Sequence, residues 1–388
     1  MSAIVIKKGI YWVGAIDWNV RDFHGYKTGR GTSYNAYLII DEKVTLVDTV
    51  KANLYDEMLT RIKSVIDPSK IDIIVSNHVE MDHSGAIPKI LNETPNAEII
   101  TSKNGAKGLK QHFDTSSWNL KVVDSNQEIN IGSRTIKFIH TPMLHWPDSM
   151  ISYIEQDKLL LPNDALGQHI ASGNLFDDEN PKDIVFDEAA KYYANIVYPF
   201  GMQVNKALSA ISDLDIDMVA PSHGIIWRKY IGEIVEKYKQ WANGESTNKA
   251  VVVYDSMWGA TETMAKKIAQ TFSENGVPTV VRSMKSCHIS DVMNDILEAK
   301  YVAFGSSVLN NQVLPSMASM LTYLKGLKPM KKHGIAFGSY GWNSRILKEV
   351  DELMASLKWE CAESLNVNYT PSLDDLGTIE TKIKELIG

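Results

Sequence analysis

Within the run Asn77-His78-Val79-Glu80-Met81-Asp82-His83-Ser84-Gly85, four side chains able to bind a metal fall within six positions: His78, Glu80, Asp82 and His83. A helix could not aim all four at one point, because its side chains step round by about 100° per residue. A loop leaving a strand can, and the apolar run Ile71–Val75 just before it reads as a buried strand. Further carriers follow at turn-like positions: His145 in Thr141-Pro142-Met143-Leu144-His145-Trp146-Pro147-Asp148, Asp164 in Pro162-Asn163-Asp164-Ala165, and His223 in Pro221-Ser222-His223-Gly224. Eight of the ten histidines (24, 78, 83, 112, 140, 145, 169 and 223) lie before residue 243. A lone histidine is usually structural. A cluster of imidazoles and carboxylates, with three later carriers on similar turns, predicts a metal centre.

A second constellation lies in the last third of the chain. After the β-branched run Ala250–Tyr254 come Ser256, Met257, Trp258, Gly259, Ala260, Thr261 and then a helical pattern. Hydroxyls, a glycine and free N–H groups at a helix N-terminus suit a phosphate. No lysine follows in the loop, which excludes a nucleoside-triphosphate loop. A phosphomonoester held by neutral donors is expected, as in the flavodoxins that bind FMN. Two further loops, Ser306-Ser307-Val308-Leu309-Asn310-Asn311 and Ser339-Tyr340-Gly341-Trp342, each follow an apolar strand. Loops at strand C-termini are where a doubly wound sheet takes its ligand.

The elements that must carry these loops are legible in outline. Tyr37–Ile40 and Val44–Val47 read as a hairpin, Lys51–Ile66 as an amphipathic helix, and Glu98–Thr101, Lys121–Val123, Thr135–Ile139 and Ser149–Ile154 as strands. Asp187–Tyr198 and Glu233–Ala242 read as helices. The polar segment Asn243–Asn248 is the best linker. Beyond it, strands Ala250–Tyr254, Thr279–Ser283, Tyr301–Gly305 and Gly334–Phe337 alternate with helical stretches such as Glu262–Asn275, which implies a five-stranded parallel sheet. Two domains are expected, residues 1–248 and 249–388.

The 388 residues are 44% hydrophobic and 22% charged, enough for two self-sufficient cores. A net charge of -7 gives no electrostatic reason to bind nucleic acid or an anionic membrane. No apolar run approaches the about 18 residues of a membrane span, and no signal-like leader opens the sequence. The two cysteines, Cys287 and Cys361, form neither a zinc ribbon nor a disulfide framework. A cytoplasmic location is expected.

The ligand run resembles the metallo-β-lactamase superfamily, whose hydrolases typically read H-x-H-x-D-H. Here the middle histidine is Glu80, and H-x-E-x-D-H is the pattern of the flavodiiron proteins. The resemblance extends through the other ligand turns and across essentially the whole chain. It implies an α/β chain with an N-terminal metallo-β-lactamase-like αββα sandwich, then a flavodoxin-like doubly wound parallel sheet. It implies two non-haem irons, one on His78, Glu80 and His145, the other on Asp82, His83 and His223, with Asp164 bridging. His24, His169 and Tyr193 match positions near the metals and the substrate pocket. It implies FMN as the cofactor, with Trp342 near its ring. The family more often continues with small residues after this tryptophan, so Asn343-Ser344-Arg345 is a departure that bears on the flavin potential.

The Glu80 exchange has a physical consequence. Glu80, Asp82 and Asp164 bring three negative charges, and a bridging hydroxide brings a fourth, which balances two ferrous ions. A histidine at position 80 would leave the sum at +1. A carboxylate-rich site favours iron and its ferric state over zinc. The resemblance implies reduction of dioxygen to water, or alternatively of nitric oxide to nitrous oxide. It also implies a head-to-tail homodimer or dimer of dimers, and an external donor such as rubredoxin, or the deazaflavin F420 if the source is a methanogen. Two other classes fit parts of the pattern. A dizinc hydrolase fused to a flavodoxin module would carry two zincs and esterase activity. A simple electron carrier would leave the metal site empty after iron-replete expression.

Overall fold

The computed structural model describes residues 1–342 and 347–388. Asn343, Ser344 and Arg345, the departure noted above, lie outside the described residues. The chain divides into two compact units: Met1–Phe23, Thr28–Tyr192 and Met202–Lys239 form the first, while His24–Lys27, Tyr193–Gly201 and Gln240–Gly388 form the second.

In the first unit, seven strands form one sheet in sequential order: β1 (Ile4–Lys7), β2 (Ile10–Trp12), β3 (Tyr37–Ile39), β4 (Val44–Val47), β5 (Ile71–Val75), β6 (Glu98–Thr101) and β7 (Asn119–Val122). The expected hairpin is present, with Tyr37 opposite Val47. From β4 onward the pairing is parallel. Five strands form a second sheet: β8 (Glu128–Asn130), β9 (Thr135–His140), β10 (Met150–Ile154), β11 (Leu159–Leu161) and β12 (Met218–Val219).

The period-2 alternation of strand side chains divides the apolar residues between two cores. Tyr37, Ile39, Val47, Ile73, Val75 and Ile100 point to the second sheet and meet Phe138, Met150, Ile154 and Leu161. Leu38, Leu46, Ile74 and Ile99 point the other way, onto Met58, Ile62, Ile90 and Leu109 of the covering helices. A strand buried on both faces reads as a continuous apolar run, which is why β5 was visible in the sequence. The Lys51–Ile66 pattern resolves into a short turn Ala52–Leu54 and a helix Tyr55–Lys63.

In the second unit a parallel sheet has the order β14-β13-β15-β16-β17: β13 (Thr247–Asp255), β14 (Thr279–Ser283), β15 (Ala299–Ser307), β16 (His333–Tyr340) and β17 (Glu360–Cys361). The fifth position is shared by two short strands, since β18 (Leu365–Asn368) also pairs with β16. β13 begins inside the polar segment read as a linker, because Thr247 donates its N–H to the Glu298 carbonyl at 2.7 Å and joins the sheet. Helices Ala260–Glu274 and Leu373–Ile387 cover one face through Met264, Ile268, Phe272, Ile379 and Ile383. The short segments at 24–27 and 193–201 are tied to helix Ile289–Leu297: Lys27 N–H donates to Ser290 Oγ at 3.2 Å, and the Asn195 amide to the Ser290 carbonyl at 3.1 Å. Among the described residues, no helix is long and apolar enough to cross a membrane.

Lys332 is 1% exposed and donates to the Leu297 carbonyl at 2.9 Å. Burial pushes its pKa down to about 7, with Glu298 opposing. The folded chain therefore binds fewer protons than the unfolded chain from about pH 7 up to the ordinary lysine range, so the penalty is full below pH 7 and is relieved as pH rises. Thermal melts of wild type and Lys332→Met should diverge in the wild type's favour as pH rises through that window. A pH-independent difference would contradict the burial account.

Candidate metal centre and cofactor cleft

Every sequence-predicted ligand lies on a loop or single turn at a strand end. The chain leaves β5, passes Asn77 and His78, and closes one helical turn at Met81–Ser84, where His83 and Ser84 N–H groups both bond the Glu80 carbonyl at 2.9 Å. His145 sits between β9 and β10, Asp164 just after β11, and His223 just after β12. Gly224 follows at φ +73°, where a side chain would meet the Gln168 backbone oxygen at 2.1 Å.

The ligand atoms form two groups. His78, Glu80, His145 and Asp164 make one, and Asp82, His83 and His223 the other; within each the atoms lie within 4.8 Å of one another. Asp164 faces both. Its Oδ2 is 3.7 Å from His78 Nε2 and 3.4 Å from His145 Nε2, while its Oδ1 is 3.0 Å from His83 Nε2 and 3.3 Å from His223 Nε2. Glu80 Oε2 is 3.3 Å from His78 Nε2, and Asp82 Oδ2 is 3.2 Å from His223 Nε2.

These atoms fit metal ions. Among the described residues, both carboxylate oxygens of Asp82 and of Asp164, and Nε2 of His83, are buried without hydrogen-bond geometry to any partner. Buried carboxylate oxygens in that condition are costly unless a cation takes them. Donors sharing one ion at bond lengths of about 2.0–2.2 Å sit about 3.0–3.5 Å apart, close to the 3.0–3.7 Å between the carboxylate oxygens and imidazole nitrogens here. The electrostatics agree. Burial opposes ionisation of Asp164, yet His83, His145 and His223 hold it well below the usual carboxylate range. Burial by itself lowers an imidazole, but Asp164 and Asp82 push His223 up to about 10. The carboxylates demand positive charge, which imidazolium protons or metal ions can supply.

The second ring nitrogens of His78 and His223 are fixed. His78 Nδ1 lies 2.9 Å from Asp148 Oδ2, and His223 Nδ1 donates to the Ser33 carbonyl at 2.9 Å. His169 is fully buried, 2.7 Å from Thr32 Oγ1, with its ring 4.9 Å from that of His223. Burial first, then His223, holds its pKa well below the ordinary value, so it stays neutral. His24 is exposed at φ +56° in the hairpin Asp22–Lys27, and Tyr193 opens a wide helical turn against Trp241 at 5.2 Å. Both belong to the second unit.

Sequence reasoning missed the hub beneath the ligand loops. Asp48 accepts the Asn77 N–H at 2.8 Å, the Asn77 amide at 3.0 Å, the Asn163 amide at 3.3 Å and the Ser222 hydroxyl at 3.4 Å. One buried carboxylate thus ties together the loops of His78, Asp164 and His223. The only local sign is a charged residue ending the apolar run Val44–Val47.

In the second unit, a cleft of about 580 Å³ opens at the C-terminal ends of β13, β15, β16 and β18. Of the predicted loop residues, Met257, Trp258, Ala260, Ser307, Val308, Leu309, Asn310, Asn311, Ser339, Tyr340, Gly341 and Trp342 line it. Thr261 lies beneath, bonded to the hydroxyls of Ser307 at 2.9 Å and Ser339 at 2.8 Å. Ser256 and Ser306 brace the loops: Ser256 Oγ accepts the Gly259 N–H at 3.0 Å and Ser306 Oγ the Leu314 N–H at 2.9 Å. Gly259 caps helix Ala260–Glu274 at φ +88°. Asn310 and Asn311 are both left-handed, the requirement of the tight turn between Leu309 and Gln312. Tyr369 and Thr370 also line the cleft and were missed; they follow β18, whose strand end the same C-terminal rule would have marked. Trp258 and Trp342 are 93% and 90% exposed, an apolar rim suited to a flat aromatic ligand.

Residues 32–224 match the family model described as ODP family beta lactamase, and residues 252–380 match flavodoxin. The solved flavodiiron protein from Giardia intestinalis is 34% identical, covers 100% of this chain and 97% of its own, and superposes with a TM-score of 0.95. The chain belongs to the flavodiiron protein family. Another similar structure of this fold, rubredoxin oxygen:oxidoreductase from the anaerobe Desulfovibrio gigas, is 40% identical with a TM-score of 0.97, over 100% of this chain and 99% of that one. A nitric oxide reductase of Moorella thermoacetica is 43% identical over 96% of this chain and 95% of its own. This flavodiiron chain has the expected fold class, a β-lactamase-like sandwich and a parallel flavodoxin sheet, and is an oxidoreductase.

Asp48→Ala would leave buried Asn77, Asn163 and Ser222 donors without their acceptor. Denaturant titration should show a loss of about 2–4 kcal/mol. Metal analysis should show reduced metal content, although Asp48 belongs to neither ligand group. Full metal content at wild-type stability would contradict the hub.

Proposed function

We propose that this flavodiiron protein reduces dioxygen to water at a diiron centre, with electrons relayed by FMN from an external donor. The observation that carries the reading is the split carboxylate of Asp164, one oxygen toward each imidazole group, in a set where Glu80 takes a histidine's place. That pattern supports His78, Glu80 and His145 as ligands of one iron, Asp82, His83 and His223 as ligands of the other, and Asp164 as their bridge. Ser256–Thr261 would hold the FMN phosphate, and the loops Ser306–Asn311 and Ser339–Trp342 its ring system. When bound, two ferrous ions and a reduced flavin together supply four electrons, the number dioxygen takes to form two waters.

The protein's own residues set the conditions for that chemistry. Asp148 and the Ser33 carbonyl fix the ring orientations of His78 and His223. Phe23, Tyr34 and Tyr192 pack around His223, with ring centroids at 6.0, 5.5 and 6.2 Å, and Trp146 packs on His78 at 5.0 Å. This apolar wall favours a small uncharged gas over ions. His169 stands beside it as a neutral hydrogen-bonding group, and His24 and Tyr193 are proposed pocket residues. The domains are proposed at 1–248 and 249–388. A head-to-tail homodimer, FMN of one copy facing irons of the other, is supported by exposed Met81 and Met143 beside the ligand loops and by the apolar rim of the cleft. Rubredoxin is the proposed donor, with F420 the choice in a methanogen, and the cytoplasm the proposed location.

Nitric oxide reduction is the second reading, favoured by the nitric oxide reductase relative; it needs only two electrons per pair of molecules. Stopped-flow mixing of the fully reduced protein with each gas separates the two: faster oxidation by dioxygen is expected, faster oxidation by nitric oxide selects the second reading, and slow oxidation by both overturns the proposal. Glu80→His should lose iron or turnover while keeping FMN. Full activity in that variant would contradict the charge argument.

A further inference from the structure

A phosphate monoester brings close to two negative charges at neutral pH, yet the loop Ser256–Thr261 carries no cation. Two carboxylates already stand nearby. Asp255 is buried at the end of β13, where it accepts the Ser256 N–H at 2.7 Å and the Ser316 hydroxyl. Glu262, in the first turn of helix Ala260–Glu274, is paired with Lys266 at 2.6 Å. A phosphate there needs a further positive charge, and the topology brings one from another strand. β14 lies parallel to β13 with Ser283 beside Tyr254, and the Met284 N–H continues the pairing onto the Tyr254 carbonyl at 2.9 Å. The next residue, Lys285, donates its ammonium to the Ser256 carbonyl oxygen. Among the described residues Lys285 makes no ion pair, so two of its three N–H groups stay available. The carbonyl it holds shares a peptide unit with the Met257 N–H, which donates to Ser307 Oγ at 3.4 Å; Met257 and Ser307 both line the cleft. A cation at the carbonyl end polarises that unit and strengthens its N–H as a donor.

We propose that Lys285 is the countercharge of the FMN phosphate, a binding residue that makes the cleft prefer FMN to unphosphorylated riboflavin. The inference rests on the flavin reading above. It is tested on the full-length protein by flavin fluorescence titration with FMN and, separately, with riboflavin, for wild type, Lys285→Gln and Lys285→Arg. Lys285→Gln should weaken FMN on the order of tenfold at low salt, the scale of one partly solvated charge pair. It should leave riboflavin unchanged and flatten the salt dependence of FMN binding, and Lys285→Arg should retain the preference. Equal loss for both flavins would make Lys285 a loop brace and overturn the proposal, as would unchanged FMN affinity. Failure of wild type to bind FMN would instead overturn the flavin reading itself.

Discussion

The carboxylate of Asp164 is the constraint around which the first unit is built. It is buried, and four imidazoles face its two oxygens from loops scattered over the chain. A carboxylate in that setting costs several kcal/mol unless positive charge surrounds it. The surrounding structure exists to deliver that charge at fixed spacing. The two sheets press their apolar faces together, and the loops that leave their strand ends converge where side chains of both can meet.

Below the ligands, Asp48 solves a separate problem. The loops of His78, Asp164 and His223 are irregular, and their backbone and amide donors need an acceptor away from water. Asp48 supplies one for all three. Burial raises its pKa even though His83 and these donors favour the ionised form, a sign of how closed the site is. The second unit uses milder means. Its cleft is lined by hydroxyls, backbone and aromatic rims, and the ammonium held on the Ser256 carbonyl beside it comes from a neighbouring strand end, not from the loop itself.

How much of this was legible in the sequence follows from how local each feature is. The run His78–His83 was readable because one loop carries all its donors. The paired β-branched and apolar runs marked β5 and β13 because both are buried on two faces. Asp48 was silent because its partners Asn163 and Ser222 lie 115 and 174 residues away. Lys285 was silent for the same reason, since only the register of β14 on β13 brings it to Ser256. A tertiary bond overrides local preference at Thr247, whose polar surroundings read as linker but whose N–H finds Glu298. Glu80 conveyed the most, because one carboxylate in place of an imidazole changes which metal, and therefore which chemistry, the site suits.

The proposed function requires redox-active irons and a flavin to act together, with each chain holding both. An anaerobic reductive titration of the full-length protein tests it most directly, with the flavin followed by absorbance and the metals by electron paramagnetic resonance. The account predicts uptake of four electron equivalents per chain, two on the flavin and two on the irons. Uptake of two equivalents, all on the flavin, with no metal signal at any stage, would contradict it and return the first unit to a redox-inert metal site.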